Sequence, residues 1–427
     1  SKVTELSIPT TITNIPAYAF NYCTSITSVT VPSNITTIGT GAFNKCSSIA
    51  SMTLPFTPTY VSSIFGGSSY SNNTSYVPAS LKTVVITGGT SISNYAFYGC
   101  SNITSLTLPN TVTTIGDYAF QDCSNITTFV VPDSVTSIGL GAFKGCSKLE
   151  NLTIPFVGKS NDATAYEAVL GYIFGYETTV RSGSSSSTTT AEDSSSTSFT
   201  NTQYSSVSGA TWQYSCYNSL GTYYAYSSSY SYTIAYGYRL QSYYYYIPTS
   251  LKNVTVTGTK VSNYAFFNCT GLTNVTLNDT VTSIGTWAFN NCYATTTFAG
   301  TPTITSIGSQ SFYNYKNSAI TIPSSVTSIG SSAFYGSSLT SIVIPSNVKT
   351  INSGAFQSCT ALTSITLEEG VQTIGPSAFN GCGKVTSITI PKSVTSIGSS
   401  AFNGCSALVT VYYSGTMAQW CSVSFGG

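Results

Sequence analysis

Apolar and polar positions along this chain repeat with a period much longer than that of a helix or a strand. The pair Ala-Phe recurs with Phe at 20, 43, 97, 120, 143, 266, 289, 312, 334, 356, 379 and 402, and only Ser311 interrupts the Ala column. Adjacent copies lie 22 or 23 residues apart. Five residues before each Phe stands a β-branched aliphatic, as at Ile38, Ile115, Val261 and Ile397. In eight of the twelve copies a Gly follows it, for example Gly39, Gly116, Gly285 and Gly398. A Gly there predicts a tight bend with positive φ. After each Phe comes a second apolar set, such as Leu362, Ile365 and Leu367, often closed by a Pro, as at Pro345 and Pro391. The last two members of each set are two residues apart, the strand period, so each repeat predicts one short β-strand. A Pro just past it ends that strand. The Ala-Phe-x-x-Cys stretch has room for a turn or two of helix at most.

A 23-residue unit cannot bury its own apolar face, so neighbours must stack and share one continuous core. The pattern therefore predicts a solenoid, mainly β with short helical turns, whose strands build a parallel sheet. Degenerate copies around Ile64-Phe65 and Ile173-Phe174 bring the number of rungs to 14. At about 4.8 Å per stacked strand such a sheet runs on the order of 65 Å. The two degenerate copies are variants of each other, since Tyr76 to Lys82 and Tyr246 to Lys252 introduce matching strands. The second carries roughly 60 additional residues, a loop grown from one rung. The expected organisation is an N-terminal repeat block over 1–154, an irregular repeat with a Ser/Thr/Tyr-rich β insertion over 155–250, a C-terminal block over 251–411 and a terminal element over 412–427. A first strand is expected at Val3 to Ile8.

The unit Leu-Thr-Ser-Ile-x-Ile-Pro-x-x-Val-x-x-Ile-Gly-x-x-Ala-Phe-x-x-Cys, as in Leu339 to Phe356 and Val385 to Cys405, resembles the BspA-like leucine-rich repeat, also called the Treponema-type repeat. Val411 to Thr416 with Gln419-Trp420 looks like the element that often closes such arrays. The resemblance implies a leucine-rich repeat solenoid in an extracellular or surface-attached protein that adheres to host proteins, matrix, glycans or other cells. It supplies no family-wide binding residue. Members are usually larger, with anchoring or other domains. The chain opens at Ser1 without a leader-like segment, as expected of a processed or truncated product.

Composition narrows the chemistry. Lys+Arg 14 and Asp+Glu 13 make 6% charged residues, against about 25% in an average globular chain. That leaves no basic patch for nucleic acid or anionic membrane, and no apolar run is long enough to span a bilayer. There is no His, which removes the commonest general base and metal ligand. The carboxylates are scattered, so the reading is a non-enzymatic protein with no cofactor and no metal.

Ten of the 12 Cys occupy the third position after the repeat Phe. Their expected role is a buried thiol ladder packing as small hydrophobes, although stacked rungs bring Cα atoms within about 5 Å, a distance that disulfides permit. Hydroxyl rows such as Thr27, Ser28 and Thr30, or Thr386, Ser387 and Thr389, read as a solvated sheet face or as a flat docking surface for a protein or glycan. Residues 175–246 shift to Ser, Thr and Tyr, with Ser184 to Thr190 reading as a flexible tip. Beyond it Tyr224, Tyr226, Tyr230, Tyr232, Tyr236 and Tyr238 fall on even positions among small residues, the pattern of one long strand with an aromatic face. Trp212 and Tyr214 are candidates for its antiparallel mate. These eight residues form the candidate contact platform, because Tyr and Trp supply rigid amphipathic area. The alternative is a structural subunit that self-assembles into a filament or surface layer through the solenoid ends or the Tyr-rich insertion.

Overall fold

A computed structural model describes residues 3–164, 167–179, 210–217, 223–224 and 241–426. The chain winds into a parallel β-solenoid of about 14 turns with little helix. Most rungs contribute two strands where the sequence predicts one; the Phe312 rung contributes only the short Ser306–Ile307, and its second apolar set, Ile320 and Ile322, forms no strand. The longer strands carry the second apolar set, as in Ser51–Leu54, Asn274–Leu277 and Ser387–Ile390, and pair in parallel with the equivalent strands of neighbouring rungs. Two-residue strands such as Thr114–Ile115 and Ser328–Ile329 contain the β-branched residue five before Phe and build a second set of parallel ladders. Alternation decides which side chains enter the space between the two. In Ser364–Leu367 the Ile365 and Leu367 side chains are buried, while Ser364 and Thr366 are exposed.

The ladder Phe fill that space. Phe289, Phe312, Phe334 and Phe356 are fully buried, with ring centroids 5.0 to 5.1 Å apart and planes within a few degrees of parallel. One continuous cluster runs from Ile8 to Val423. Both degenerate copies take part, because Phe43 N–H donates to Ile64 O and Phe143 N–H donates to Ile173 O, each at 2.8 Å. Phe65 and Phe174 are buried with the rest. The insertion leaves the sheet intact: Asn151–Ile154 pairs directly with Asn253–Val256 in parallel register, Asn151 opposite Asn253.

Two expectations need correcting. Val3 to Ile8 forms no strand, although Ile8 is buried. The Gly after the β-branched residue does not supply a positive φ. At all eight such positions φ is ordinary, and a Cβ there would lie within 3 Å of the preceding rung's backbone, as at Gly308 against the Gly285 carbonyl carbon, 2.7 Å away. Gly is needed because the rungs approach closely. Three of the four copies without Gly lack a regular rung before them: Pro16 opens the array, and Ser93 and Ser262 follow the irregular turns Val61–Phe65 and Leu170–Phe174. In the fourth, the Asn352 amide donates to Ile329 O at 2.6 Å.

The left-handed residues lie elsewhere. In all twelve copies the residues two before and two after the ladder Phe have positive φ, among them Tyr95, Tyr118, Trp287, Asp122 and Asn268. A non-Gly residue in that region costs about 1–2 kcal/mol. The conformation points alternate amides across the stack: Tyr95, Phe97 and Gly99 N–H donate to Asp117, Ala119 and Gln121 O at 3.0, 2.8 and 2.7 Å. Those bonds offset the strain and explain why Ala-Phe-x-x-Cys is a pair of turns without helix.

Candidate functional site

Three surfaces follow from this winding: the strand face, the turn edge and the insertion. On the strand face, Ser28 and Thr30, Ser105 and Thr107, and Ser387 and Thr389 are exposed in register. The hydroxyls beside the strands do more than solvate. Thr36, Thr113, Thr282 and Thr363 each donate to a backbone carbonyl of the preceding rung at 2.9 to 3.1 Å. Around the insertion the row changes to amides. Asn274 donates to Asn253 and Asn253 to Asn151, both at 2.8 Å, so an asparagine chain crosses the point where the insertion leaves the stack.

The turn edge carries aromatic side chains that the Phe-ladder argument did not isolate. Tyr70, Tyr95 and Tyr118 stack with centroids 4.4 and 5.2 Å apart. Further along, Trp287 stacks on Tyr264 at 6.5 Å and on Tyr313 at 5.6 Å, and Tyr313 stacks on Tyr335 at 4.7 Å. All of these are partly exposed. Burial, with Tyr335 alongside, raises the Tyr313 phenol above its ordinary value. The signal is present in the sequence as Tyr or Trp two before the ladder Phe, at Tyr95, Tyr118, Tyr264 and Trp287, and as Tyr just after it, at Tyr313 and Tyr335, and the winding makes those offsets neighbours.

The insertion begins right after the rung Leu170–Phe174. Strand Ala210–Tyr217, which holds Trp212 and Tyr214, pairs antiparallel along its whole length with Gln241–Pro248, Trp212 opposite Tyr246 and Tyr214 opposite Tyr244. Tyr224, in the two-residue strand Tyr223–Tyr224, lies opposite Cys216. The described mate of the Trp212 strand is thus chiefly Gln241–Pro248, past the even-numbered Tyr run. Tyr226, Tyr230, Tyr232, Tyr236 and Tyr238 lie outside the described residues. Tyr245 and Ile247 return the chain to the core.

The ten ladder cysteines are free thiols. They also act as donors: Cys123 Sγ donates to Phe97 O at 3.2 Å, Cys146 Sγ to Phe120 O at 3.3 Å and Cys405 Sγ to Phe379 O at 3.2 Å. Burial pushes the Cys146 and Cys292 thiols up to about 12, so they are protonated and unreactive at neutral pH. Where Tyr315 replaces Cys, its hydroxyl donates to Ala294 O at 2.8 Å and accepts from Thr296 N–H at 2.9 Å. Thr296 holds the buried register position opposite Val275, so the two exceptional residues compensate each other. Among the described residues no three His, Cys, Asp or Glu side chains gather as metal ligands, and no helix is long and apolar enough to cross a membrane.

No curated protein matches this chain. Solved structures of similar proteins include a leucine-rich repeat protein from Bacteroides ovatus, 20% identical over 94% of this chain and 76% of its own, with a TM-score of 0.42. A leucine rich cell surface protein from Faecalibacterium prausnitzii is 23% identical over 97% and 80% of the two chains, with a TM-score of 0.27. The pneumococcal vaccine antigen PcpA is 15% identical over 95% and 85%, with a TM-score of 0.27. A family profile of the BspA type leucine rich repeat region, six copies long, matches residues 1–86, 71–167, 239–359 and 327–426. With both repeat blocks covered, and with the Ala-Phe rungs stacked as described, this chain belongs to the BspA type leucine rich repeat family.

Proposed function

We propose that this chain is a non-catalytic binding module of an extracellular or cell-surface protein, and that it engages host or matrix proteins, glycans or other cells. The observation that carries this reading is the long, almost uncharged strand face, where exposed Ser and Thr predominate in register, with Val130 and Val343 among them, while the alternate apolar residues are turned inward. Such a face offers hydrogen bonds without the desolvation cost of buried charge. Membership of a repeat family associated with surface proteins supports the location. Trp212, Tyr214, Tyr224, Tyr226, Tyr230, Tyr232, Tyr236 and Tyr238 are the proposed additional contacts, and the reading assigns no cofactor and no nucleic acid. The test presents the full chain, and a variant lacking 176–245, to glycan and matrix-protein arrays. Binding by the full chain supports the proposal, and its reduction in the shortened variant assigns the contact to the insertion. Silence from both removes the proposal. A net charge of +1 favours self-association as a second reading, and a monodisperse monomer in light scattering at high concentration would exclude it.

A further inference from the structure

The rung of Phe312 departs from its neighbours on the side of the strand face. Among the described residues, Ala319 to Ile322 form no strand and make no backbone hydrogen bond. The long-strand ladder therefore stops at Thr295–Phe298 and resumes at Ser341–Ile344, which leaves two successive junctions without it. Elsewhere it skips single junctions, between Ser105–Thr107 and Thr128–Val130 and between Ser364–Leu367 and Ser387–Ile390, with a strand on either side. The ladder of short strands runs unbroken from Lys260–Val261 to Ser424–Phe425. The Phe rings also keep their spacing through Phe312, 5.0 Å on one side and 5.1 Å on the other.

The interruption traces to Tyr315. In regular rungs the residue before the long strand accepts from the next rung, as Thr273 O does from Thr295 N–H at 2.8 Å. Alternate amides along the strand and just past it donate forward, as Val131 N–H does to Thr153 O at 2.9 Å. The Tyr315 hydroxyl takes the corresponding groups of the Phe289 rung: it donates to Ala294 O at 2.8 Å and accepts from Thr296 N–H at 2.9 Å. A side chain thus fills both places where the segment from Ala319 would start to pair. The core is also most polar here. Asn290, Thr296, Ser311 and Ser337, four of the seven buried polar residues among those described, lie on the rungs of Phe289, Phe312 and Phe334, and Ser311 Oγ has no partner. Parting these rungs costs less than parting an all-aliphatic core, because water satisfies the polar groups it reaches.

We infer that the Phe312 rung is a hinge that opens on the strand-face side and pivots on the short ladder, with the Tyr315 hydroxyl as the wedge that keeps the long ladder apart. In a solenoid each rung is coupled only to its neighbours, so one weak junction moves without loosening the rest, and hinge motion is absorbed by a few such residues. The strand face changes its curvature between Thr297 and Val343 and so fits partners of more than one shape.

The hinge does not depend on the identity of any partner, so a chain silent on every array can still show it. The test attaches nitroxide labels to cysteine pairs in the full chain carrying Cys216→Ser and Cys421→Ser, and reads their dipolar broadening in frozen solution. Thr297→Cys with Val343→Cys spans the two open junctions, Thr255→Cys with Thr297→Cys spans two paired ones, and Ser306→Cys with Thr350→Cys spans the pivot. All of these residues are at least partly exposed, and each pair is two rungs apart, about 10 Å. The first pair is expected to give a distance distribution roughly twice as broad as the other two, extended towards longer distances. Tyr315→Ser, the residue that Ser337 supplies at the same place in the next rung, combined with Thr296→Val, is expected to narrow that distribution to match the second pair. A first pair as narrow as the second, a pivot pair as broad as the first, or a first pair unmoved by the double change in a folded chain overturns the inference. The first two comparisons need no change in the core, so they decide the hinge even if the double variant misfolds.

Discussion

Substituting Ala for Gly308 and for Gly336 separates two reasons for a glycine. Gly308 has an ordinary φ, but its Cβ would stand 2.7 Å from the Gly285 carbonyl carbon and 2.8 Å from the Thr286 nitrogen, all of it backbone. Restoring ordinary contact near 3.4 Å moves the rungs apart by about 0.7 Å. That strains the 2.8 Å bond from Gly308 N–H to Ile284 O. Overpacking of this kind costs about 1–3 kcal/mol, and a weakened buried bond adds about 1 kcal/mol, so Gly308→Ala is expected to cost about 2–4 kcal/mol. Gly336 has φ of +64° and only the Asn314 Oδ1 at 3.9 Å near its Cβ position. Its cost is the left-handed penalty, about 1–2 kcal/mol. Urea denaturation followed by far-ultraviolet circular dichroism measures both through the shift in midpoint, provided that the slope is unchanged. Native-state hydrogen exchange shows whether the loss at Gly308 is local to the neighbouring rungs, as nearest-neighbour coupling in a solenoid requires. A larger loss at Gly336 than at Gly308 would refute the close-approach argument.

Other outcomes follow from the same contacts. Tyr315→Phe removes the partner of Thr296 N–H and Ala294 O in a buried site and is expected to cost about 1–3 kcal/mol; combining Tyr315→Cys with Thr296→Val restores the ordinary repeat pair and should recover most of it in the same urea assay. The Cys146 and Cys292 thiols, at about 12 when folded against 9.0 ordinarily, bind protons more tightly in the folded chain. Their stabilisation is complete below pH 9 and is lost as pH rises from 9 towards 12, by about 1.4 kcal/mol per pH unit for each thiol. Urea midpoints between pH 8 and 11 check the sign, and Cys146→Ser with Cys292→Ser should flatten the decline. Iodoacetamide at pH 8 is expected to label exposed Cys421 within minutes and Cys123, Cys146 and Cys292 only on unfolding; mass spectrometry of the digested protein reads the difference.

Much of the winding was legible because a solenoid repeats its own answer. One Phe column, one β-branched column and one strand set, each seen twelve times, fix the core regardless of local ambiguity. The short second strand carries no such signal, since Thr-Ile, as in Thr37–Ile38, is too brief to show a period. Sequence also could not separate the two causes of a conserved-looking Gly slot within the repeat, because close approach of a neighbouring rung is invisible until the rungs are stacked. Left-handed positions occupied by Tyr, Trp, Asp and Ser carry no common residue type that would mark them. The same limit hid the aromatic stacks of the turn edge, whose stacked neighbours, such as Trp287 and Tyr313, are 22 to 26 residues apart in the chain and touch only after winding. Tyr315 and Thr296 each depart from the repeat pattern, 19 residues apart, and form one buried pair.

The central claim is that rungs far apart in sequence lie side by side, with the insertion looped out between Asn151–Ile154 and Asn253–Val256. Thr153 and Thr255 are paired in that register and are partly exposed. In a chain with Cys216→Ser and Cys421→Ser, the changes Thr153→Cys and Thr255→Cys labelled with pyrene maleimide should give strong excimer emission that disappears in urea. The same label on Thr153→Cys with Thr366→Cys should give monomer emission only. Monomer emission from the first pair, under folded conditions, would contradict the stacking on which the whole account rests.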